Sequence, residues 1–461
     1  MVDATLSRID NEMEQNLNRL FDFLKIKSIS TDPEFKKDCA KAADWLVEDL
    51  KSFGVKAQKY ETDGHPIVHG HLGSNKGPHV LFYGHYDVQP IDPLELWAND
   101  PFEPAIEQLP SGPVIRARGS SDDKGQLMTF VEACRAWIKQ NKALPFKVTF
   151  FFEGEEESGS PNLVPFMKKH KKEISSDIVL ICDTGLFESR VPSIVTRLRG
   201  LLKEEIIITG PDKDLHSGMY GGISVNPARI LTNILSELHD EDGAVTIPDF
   251  YDGVPELPQN ILDQWLGLNF KHDQFLADVG LSTPAGEKDR SALEMLWSRP
   301  TCEINGIKAG YIGEGFKTVL PAQASAKISF RLVANQDPLK IRKNFRNMVK
   351  DLLPDDCQVF FKEHEASKAS QMDISPPEFE KAREAISEEW GIEAAFIGCG
   401  GSIPIAGYFQ KITGVDPMLI GFSKDDDQIH SPNEKYDLES FRKGIRSWVR
   451  VINSFSELQN V

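Results

Sequence analysis

Cysteine is scarce in this chain: six residues among 461, at positions 39, 134, 182, 302, 357 and 399, with no paired spacing. Such spacing supports neither a disulfide framework nor a thiolate cluster. Cys182, inside an apolar run, reads as a small buried hydrophobe. A reducing cytoplasm is the simplest home. Long apolar runs are missing as well, since no stretch approaches the ~20 residues needed to span a bilayer. The N-terminus, MVDATLSRIDNEMEQ, is acidic and lacks an apolar core, so neither a signal peptide nor a membrane partner is expected. Positive charge is in deficit, with 52 Lys and Arg against 70 Asp and Glu and a formal charge of -18. Phosphate backbones need clustered Lys and Arg, so nucleic acid is excluded as a partner. Internal repeats and low-complexity tracts are absent.

What remains is an ordinary globular composition, 40% hydrophobic and 26% charged. The length predicts two or three domains. The pattern that stands out is where the apolar runs stop. VLFY (Val80 to Tyr83) ends at Gly84-His85-Tyr86-Asp87. KVTFFF (Lys147 to Phe152) leads into Glu153-Gly154-Glu155-Glu156-Glu157, and DIVLIC (Asp177 to Cys182) ends at Asp183-Thr184-Gly185. Open α/β sheets bind ligands at the carboxyl ends of their strands. Three strands delivering imidazole and carboxylate groups to that edge read as one site. A His and carboxylate set without Cys suits Zn²⁺, Mn²⁺ or Co²⁺.

Helical periodicity predicts helices over about 11–24 and 37–53, with Gly54 as a C-cap, and another after Lys124 that makes a βαβ crossover. From about residue 196 the order becomes strand (EEIIIT), helix (NPARILTNILSELHD), a poorly periodic stretch over 243–298, and a strand near Gly310. SAKISFRLV, a helix (PLKIRKNFRNMVKDLL) and CQVFFKEHE follow. That β-α-β-β-α-β order resembles a ferredoxin-like domain. After about residue 375 come a helix over 377–390, the strand AAFIG and a final helix over 438–455. The expected architecture is α/β: a mostly parallel-sheet catalytic domain (1–195 and 372–461) interrupted by an inserted ferredoxin-like α+β lid and dimerisation domain (196–371).

Each chemical motif has a bland counterpart. His85 and Asp87 lie two apart at a strand end, so both can face one side. They fit either a metal-bound imidazole with its orienting carboxylate or a turn histidine with a capping Asp. Asp122 and Asp123 precede a helix, where carboxylates cap, yet two adjacent Asp rarely both cap, which favours a bridging metal ligand. Three successive Glu at a sheet edge cost several kcal/mol unless cations compensate. One of them could ligate metal while its neighbour takes a proton from water activated by the metal. Asp183 and His430 are weak alone and persuasive in company. His65, His69, His71 and His79 precede the site with no carboxylates following, and read as structural.

Taken in order, GHYDVQP, RGSSDDKGQ, EGEEESGS, CDTG, DLHSGMYGG, SFRLV, GGSIP and IHSPNEKY span about residues 80 to 436. They resemble the di-zinc metallopeptidase and amidohydrolase family of carnosine dipeptidases, glutamate carboxypeptidase, aminoacylases and succinyl-diaminopimelate desuccinylase, nearest the carnosinase and cytosolic dipeptidase branch. The resemblance implies two Zn²⁺ per subunit, with Mn²⁺ or Co²⁺ as alternatives. His85 and Asp183 would hold one, Glu157 and His430 the other, and Asp122 would bridge. Asp87 would orient His85, Glu156 would be the general base, and a cis peptide would follow Asp122. His216 would serve the partner subunit of a homodimer. Arg331 would bind the substrate carboxylate, with Gly401 and Ser402 lining the pocket. The implied activity is dipeptidase-like cleavage of an amide in a small carboxylate-bearing substrate. An N-acyl-amino-acid amidohydrolase is the alternative, and a catalytically silent binding homologue is a third. One departure bears on the choice. The dipeptidase branch reads R-E-G-G-S-I-P where this chain reads Gly398-Cys399-Gly400-Gly401-Ser402-Ile403-Pro404, so an acid able to attract a substrate ammonium is replaced by neutral Cys399.

Overall fold

Phe82 stacks face to face on Phe130, centroids 4.0 Å apart, and Trp448 closes on both edge-on. This aromatic cluster ties a central strand to two helices in a computed structural model that describes residues 2–74, 76–401 and 403–458. The chain forms two compact units. One comprises Met1–Thr196, Met372–Phe396 and Pro404–Val461, and the other Arg197–Gln371 with Ile397–Ile403.

In the first unit, the sheet runs in the order Lys56–Tyr60, Ile67–Leu72, Lys147–Glu153, His79–His85, Ile178–Ile181, Pro417–Ile420, Ser193–Leu198. Its four central strands are parallel, whereas the flanking pairs are antiparallel. The sheet is therefore mixed, parallel only where strands are covered on both faces and read as unbroken apolar runs. The Lys124–Asn141 helix is the crossover, buried from Lys124 through Trp137. The amphipathic Leu438–Phe455 helix packs on it, with Trp448 edge-on to Phe130 and donating to Thr129 Oγ1 at 2.9 Å. The predicted N-terminal helices are found at Met13–Leu24 and Lys36–Lys51, and Gly54 (φ +99°) closes the second by donating to Lys51 O. A further helix, Val2–Asn11, buries only Thr5, Leu6 and Ile9, too sparse an apolar stripe to stand out in sequence. A small antiparallel sheet, Lys435–Asp437, Gly112–Arg116 and Ala105–Leu109, brings residue 434 beside the loop that leads into the crossover helix.

The second unit has a four-stranded antiparallel sheet in the order Thr301–Ala309, Gln323–Leu332, Gly200–Thr209, Gln358–Ser367. The helices Pro227–Ser236 and Pro338–Asp351 pack on it around a core that includes Leu202, Phe330 and Phe345. Residues 397–403, placed by sequence with the last stretch of the catalytic domain, group here instead. Gly401 O accepts the N–H of Arg199, and a Cβ on Gly398 would collide with Trp297. Among the described residues all six cysteines are free, and no helix is long and apolar enough to cross a membrane.

Candidate metal centre

The His79–His85 strand ends with His85 fully buried, its Nε2 3.1 Å from Asp122 Oδ1. The opposite oxygen, Asp122 Oδ2, lies 2.9 Å from His430 Nε2. His430 is itself 3.3 Å from Glu157 Oε2. Two groups of potential ligand atoms result, His85–Asp122–Asp183 and Asp122–Glu157–His430, each with its atoms within 4.8 Å of one another and both containing Asp122. Six ligand positions are thus met by five residues, all of them singled out in the sequence.

Local structure explains how each side chain is held. Asp87 is fully buried. Its Oδ1 lies 3.3 Å from His85 Nδ1, while its two oxygens accept the backbone N–H groups of Glu156 and Glu157 at 3.3 and 3.0 Å. One carboxylate therefore fixes the histidine ring and the start of the short 3₁₀ turn Glu156–Ser158. The Asp122–Asp123 peptide is cis. Asp123 Oδ2 accepts the His85 N–H at 3.0 Å, so Asp123 braces the strand end. The three Glu have separate tasks. Glu155 turns inward and accepts from His65 N and from the backbone and side-chain nitrogens of Asn162. Glu156 stays half-buried, and Glu157 reaches His430.

Three residues without an assigned role in the sequence prove important. Glu434 is fully buried, and its carboxylate accepts the N–H groups of Gly119, Ser121 and Asp122 and an Arg118 guanidinium N–H at 2.8–3.0 Å. Gln89 donates to Glu157 Oε2 at 2.6 Å. Asp427 accepts from Ser121 Oγ at 2.8 Å. The only sequence signal for Glu434 was its place in IHSPNEKY.

The electrostatics of the cluster suit a bound cation. Burial, together with the charge of Asp122, pushes the Asp183 carboxyl well above the usual range. Burial also raises Glu156, with Glu157 and Asp87 adding to it and His85 opposing. Burial would raise Asp122 too, but hydrogen bonds with His430 and His85 hold it below the usual range. Asp122 and then Glu157 lift His430 to about 10. Protons and metal ions compete for these lone pairs. The donor set, two imidazoles and three carboxylates, fits two borderline divalent ions. Glu157 Oε1, buried without a hydrogen-bond partner, fits the same reading.

The remaining predicted residues lie in the second unit. His216 is exposed, at the end of a two-residue strand paired with Val319–Leu320, and its Nδ1 accepts from Gly218 N at 3.0 Å. Arg331 is half-buried on the Gln323–Leu332 strand, and Gly401 is exposed. Ser402 lies outside the described residues. The four upstream histidines join no ligand group among the described residues. His65 Nε2 meets Ser30 O and His79 Nε2 meets Thr149 Oγ1.

Residues 81–454 match peptidase family M20/M25/M40. The Cys-Gly metallodipeptidase dug1 of Schizosaccharomyces pombe is 29% identical over 99% of this chain and 99% of its own length. Human Beta-Ala-His dipeptidase is 26% identical over 99% of this chain and 93% of its own. Among solved structures, the M20 family metallo-carboxypeptidase Sso-CP2 from Sulfolobus solfataricus aligns with a TM-score of 0.77 at 30% identity, covering 96% of this chain and 99% of that one.

Proposed function

The chain belongs to peptidase family M20/M25/M40, and on that premise we propose that it cleaves the amide bond of a small substrate bearing a free carboxylate, with two zinc ions per subunit. The observation that carries the reading is Asp122, shared between two ligand groups beside a Glu whose backbone N–H is held by Asp87. His85 and Asp183 would hold one ion, Glu157 and His430 the other, and Asp122 both; Mn²⁺ or Co²⁺ would suit the same donors. When bound, the ions polarise the scissile carbonyl and acidify a water. Glu156 takes a proton as the water's oxygen forms its bond to the carbonyl carbon. It returns that proton to the amine nitrogen as the C–N bond breaks. Its half-buried setting and raised affinity for a proton suit both halves of that task. Asp87 keeps the His85 ring and Glu156 in register, Arg331 pairs with the substrate carboxylate, and Gly401 and Ser402 line the pocket. His216 stabilises the developing oxyanion in the partner subunit of a cytoplasmic homodimer.

Dipeptides are the first substrate class, in keeping with the names of the relatives. N-acyl-amino acids are the second reading, favoured by the neutral Cys399. The test is release of free amino acid from matched dipeptides and N-acetyl-amino acids, by wild type and by Glu156→Gln. Turnover of either class by wild type, abolished in the variant, is expected. A panel left intact by the metal-loaded wild type would overturn the reading.

A further inference from the structure

The second unit carries two guanidinium groups, those of Arg199 and Arg331, that form no ion pair among the described residues. Arg331 lies directly across from Leu201 in the antiparallel pair. Arg199 precedes Leu201 by two residues in a run that is extended from Ser193 to Thr209 except at Arg199 itself. Leu201 and Arg331 share a face of the sheet, and Arg331 is near enough for its charge to act on the Arg199 guanidinium. Leu202, Phe330 and Leu332, on the opposite face, belong to the core. Arg199 is 7% exposed. One of its terminal nitrogens donates to the carbonyl oxygens of Met295 and Arg299, while its Nε is buried with no hydrogen-bond partner.

Arg197, two residues earlier, likewise forms no ion pair among the described residues and lies over the Trp265 ring, whereas two other nearby arginines have acid partners. Arg290 pairs with Glu256, and Arg299 with Glu287 at 2.7 Å. In a chain with 70 acids and 52 bases, leaving a buried Arg without a carboxylate is conspicuous, because an uncompensated buried cation is costly. Among the described residues, the segment beside it offers no acid. Gly401 O accepts the Arg199 N–H at 3.1 Å, and Gly401 N donates to the neutral Cys399 Sγ at 3.4 Å. Burial first, and then the charge of Arg331, pull the Arg199 guanidinium down to about 10, while Glu303 and Cys399 act the other way. Glu303 is exposed on the Thr301–Ala309 strand and forms no ion pair with Arg199 among the described residues.

We propose that Arg199 is a specificity-determining residue that adds a second positive charge beside Arg331, so that the site selects ligands carrying two carboxylates over ligands carrying one. The substrate class is then an acidic dipeptide, or an amino acid acylated by a dicarboxylic acid. This rests on the reading of Arg331 as the substrate-carboxylate ligand, and it goes beyond it in naming a second anionic group.

The test separates binding from catalysis. Glutarate and its half-amide, glutaramate, have nearly the same shape and differ by one carboxylate. Calorimetry on the metal-loaded enzyme should show glutarate binding roughly tenfold or more tightly, the scale of one charge-assisted contact. Arg199→Met should erase that preference, Arg199→Lys should keep part of it, and Arg331→Met should weaken both ligands. Because Arg199→Met could unfold the sheet, Cys399→Glu provides a second route. It leaves the guanidinium in place, gives it an acid neighbour, and should also erase the preference. Equal affinities in wild type would overturn the proposal. So would a preference that survives both Arg199→Met and Cys399→Glu, since it would then reside in the metal ions. A glutarate preference in a protein that cleaves no dipeptide or N-acyl-amino acid would sustain this inference while sinking the proposed reaction.

Discussion

Glu434 accepts the backbone N–H of Asp122 at 3.0 Å, from a position more than three hundred residues away in sequence. Its other oxygen takes Gly119 N and Arg118, so one buried carboxylate shapes the whole loop that carries Asp122. Groups that orient ligands without touching the metal are worth roughly 10–100-fold in metal affinity. Glu434→Gln keeps the size but sets an amide NH₂ against a backbone or guanidinium donor. Competition against a chelator should show weaker binding of both ions by about that factor. Unchanged affinity would mean that Asp122 is positioned without Glu434.

Neighbouring Glu residues should give opposite phenotypes. Glu156→Gln cannot accept a proton, and kcat should fall by roughly 10²–10⁴-fold or more with metal content intact. Glu157→Gln should instead lose metal, because its Oε2 meets His430. Reversed phenotypes would exchange the two roles.

Stability should fall on mild acidification for a reason outside the metal centre. Burial, the leading cause, lowers both His69 and His79 to about 4, against an ordinary 6.5. The unfolded chain therefore binds these protons first. The neutral histidines' stabilisation is fully present above about pH 6.5 and is lost as pH falls towards 4. With both titrating, the slope reaches at most roughly 2–3 kcal/mol per pH unit. With chelator present throughout, to exclude metal release, urea unfolding at pH 7 and pH 5 should show a smaller difference in His69→Gln/His79→Gln than in wild type. An equal difference would place the acid sensitivity elsewhere.

If His216 serves the partner subunit, mixing inactive His216→Ala chains with inactive Glu156→Gln chains should restore partial activity, since a hybrid dimer contains one intact site. No recovery after demonstrated subunit exchange would assign His216 to its own chain.

Much of the architecture was readable because apolar periodicity and strand ends are local signals. The crossover helix was expected after Lys124 and is found at Lys124–Asn141, and helices were placed at 377–390 and 438–455 where Pro377–Trp390 and Leu438–Phe455 are found. The β-α-β-β-α-β order was legible for the same reason. What escaped were roles created by folding. Glu434 becomes a buried clamp only because the Lys435–Asp437 strand pairs with Gly112–Arg116. Glu155, Glu156 and Glu157 look alike in sequence, and only the turn at Glu156–Ser158 sends one to Asn162 and another to His430. Arg199 was invisible because the lack of an acid partner is a property of the packed strands rather than of the letters around it.

The central claim is a two-ion centre that shares Asp122, and elemental analysis of wild type and Asp122→Ala tests it most directly. Asp122 Oδ1 faces His85 and Oδ2 faces His430, so removing this carboxylate opens both ligand groups at once. Two ions per chain in wild type and neither firmly held in the variant is the expected result. A single ion in wild type, or two retained by Asp122→Ala, would contradict it.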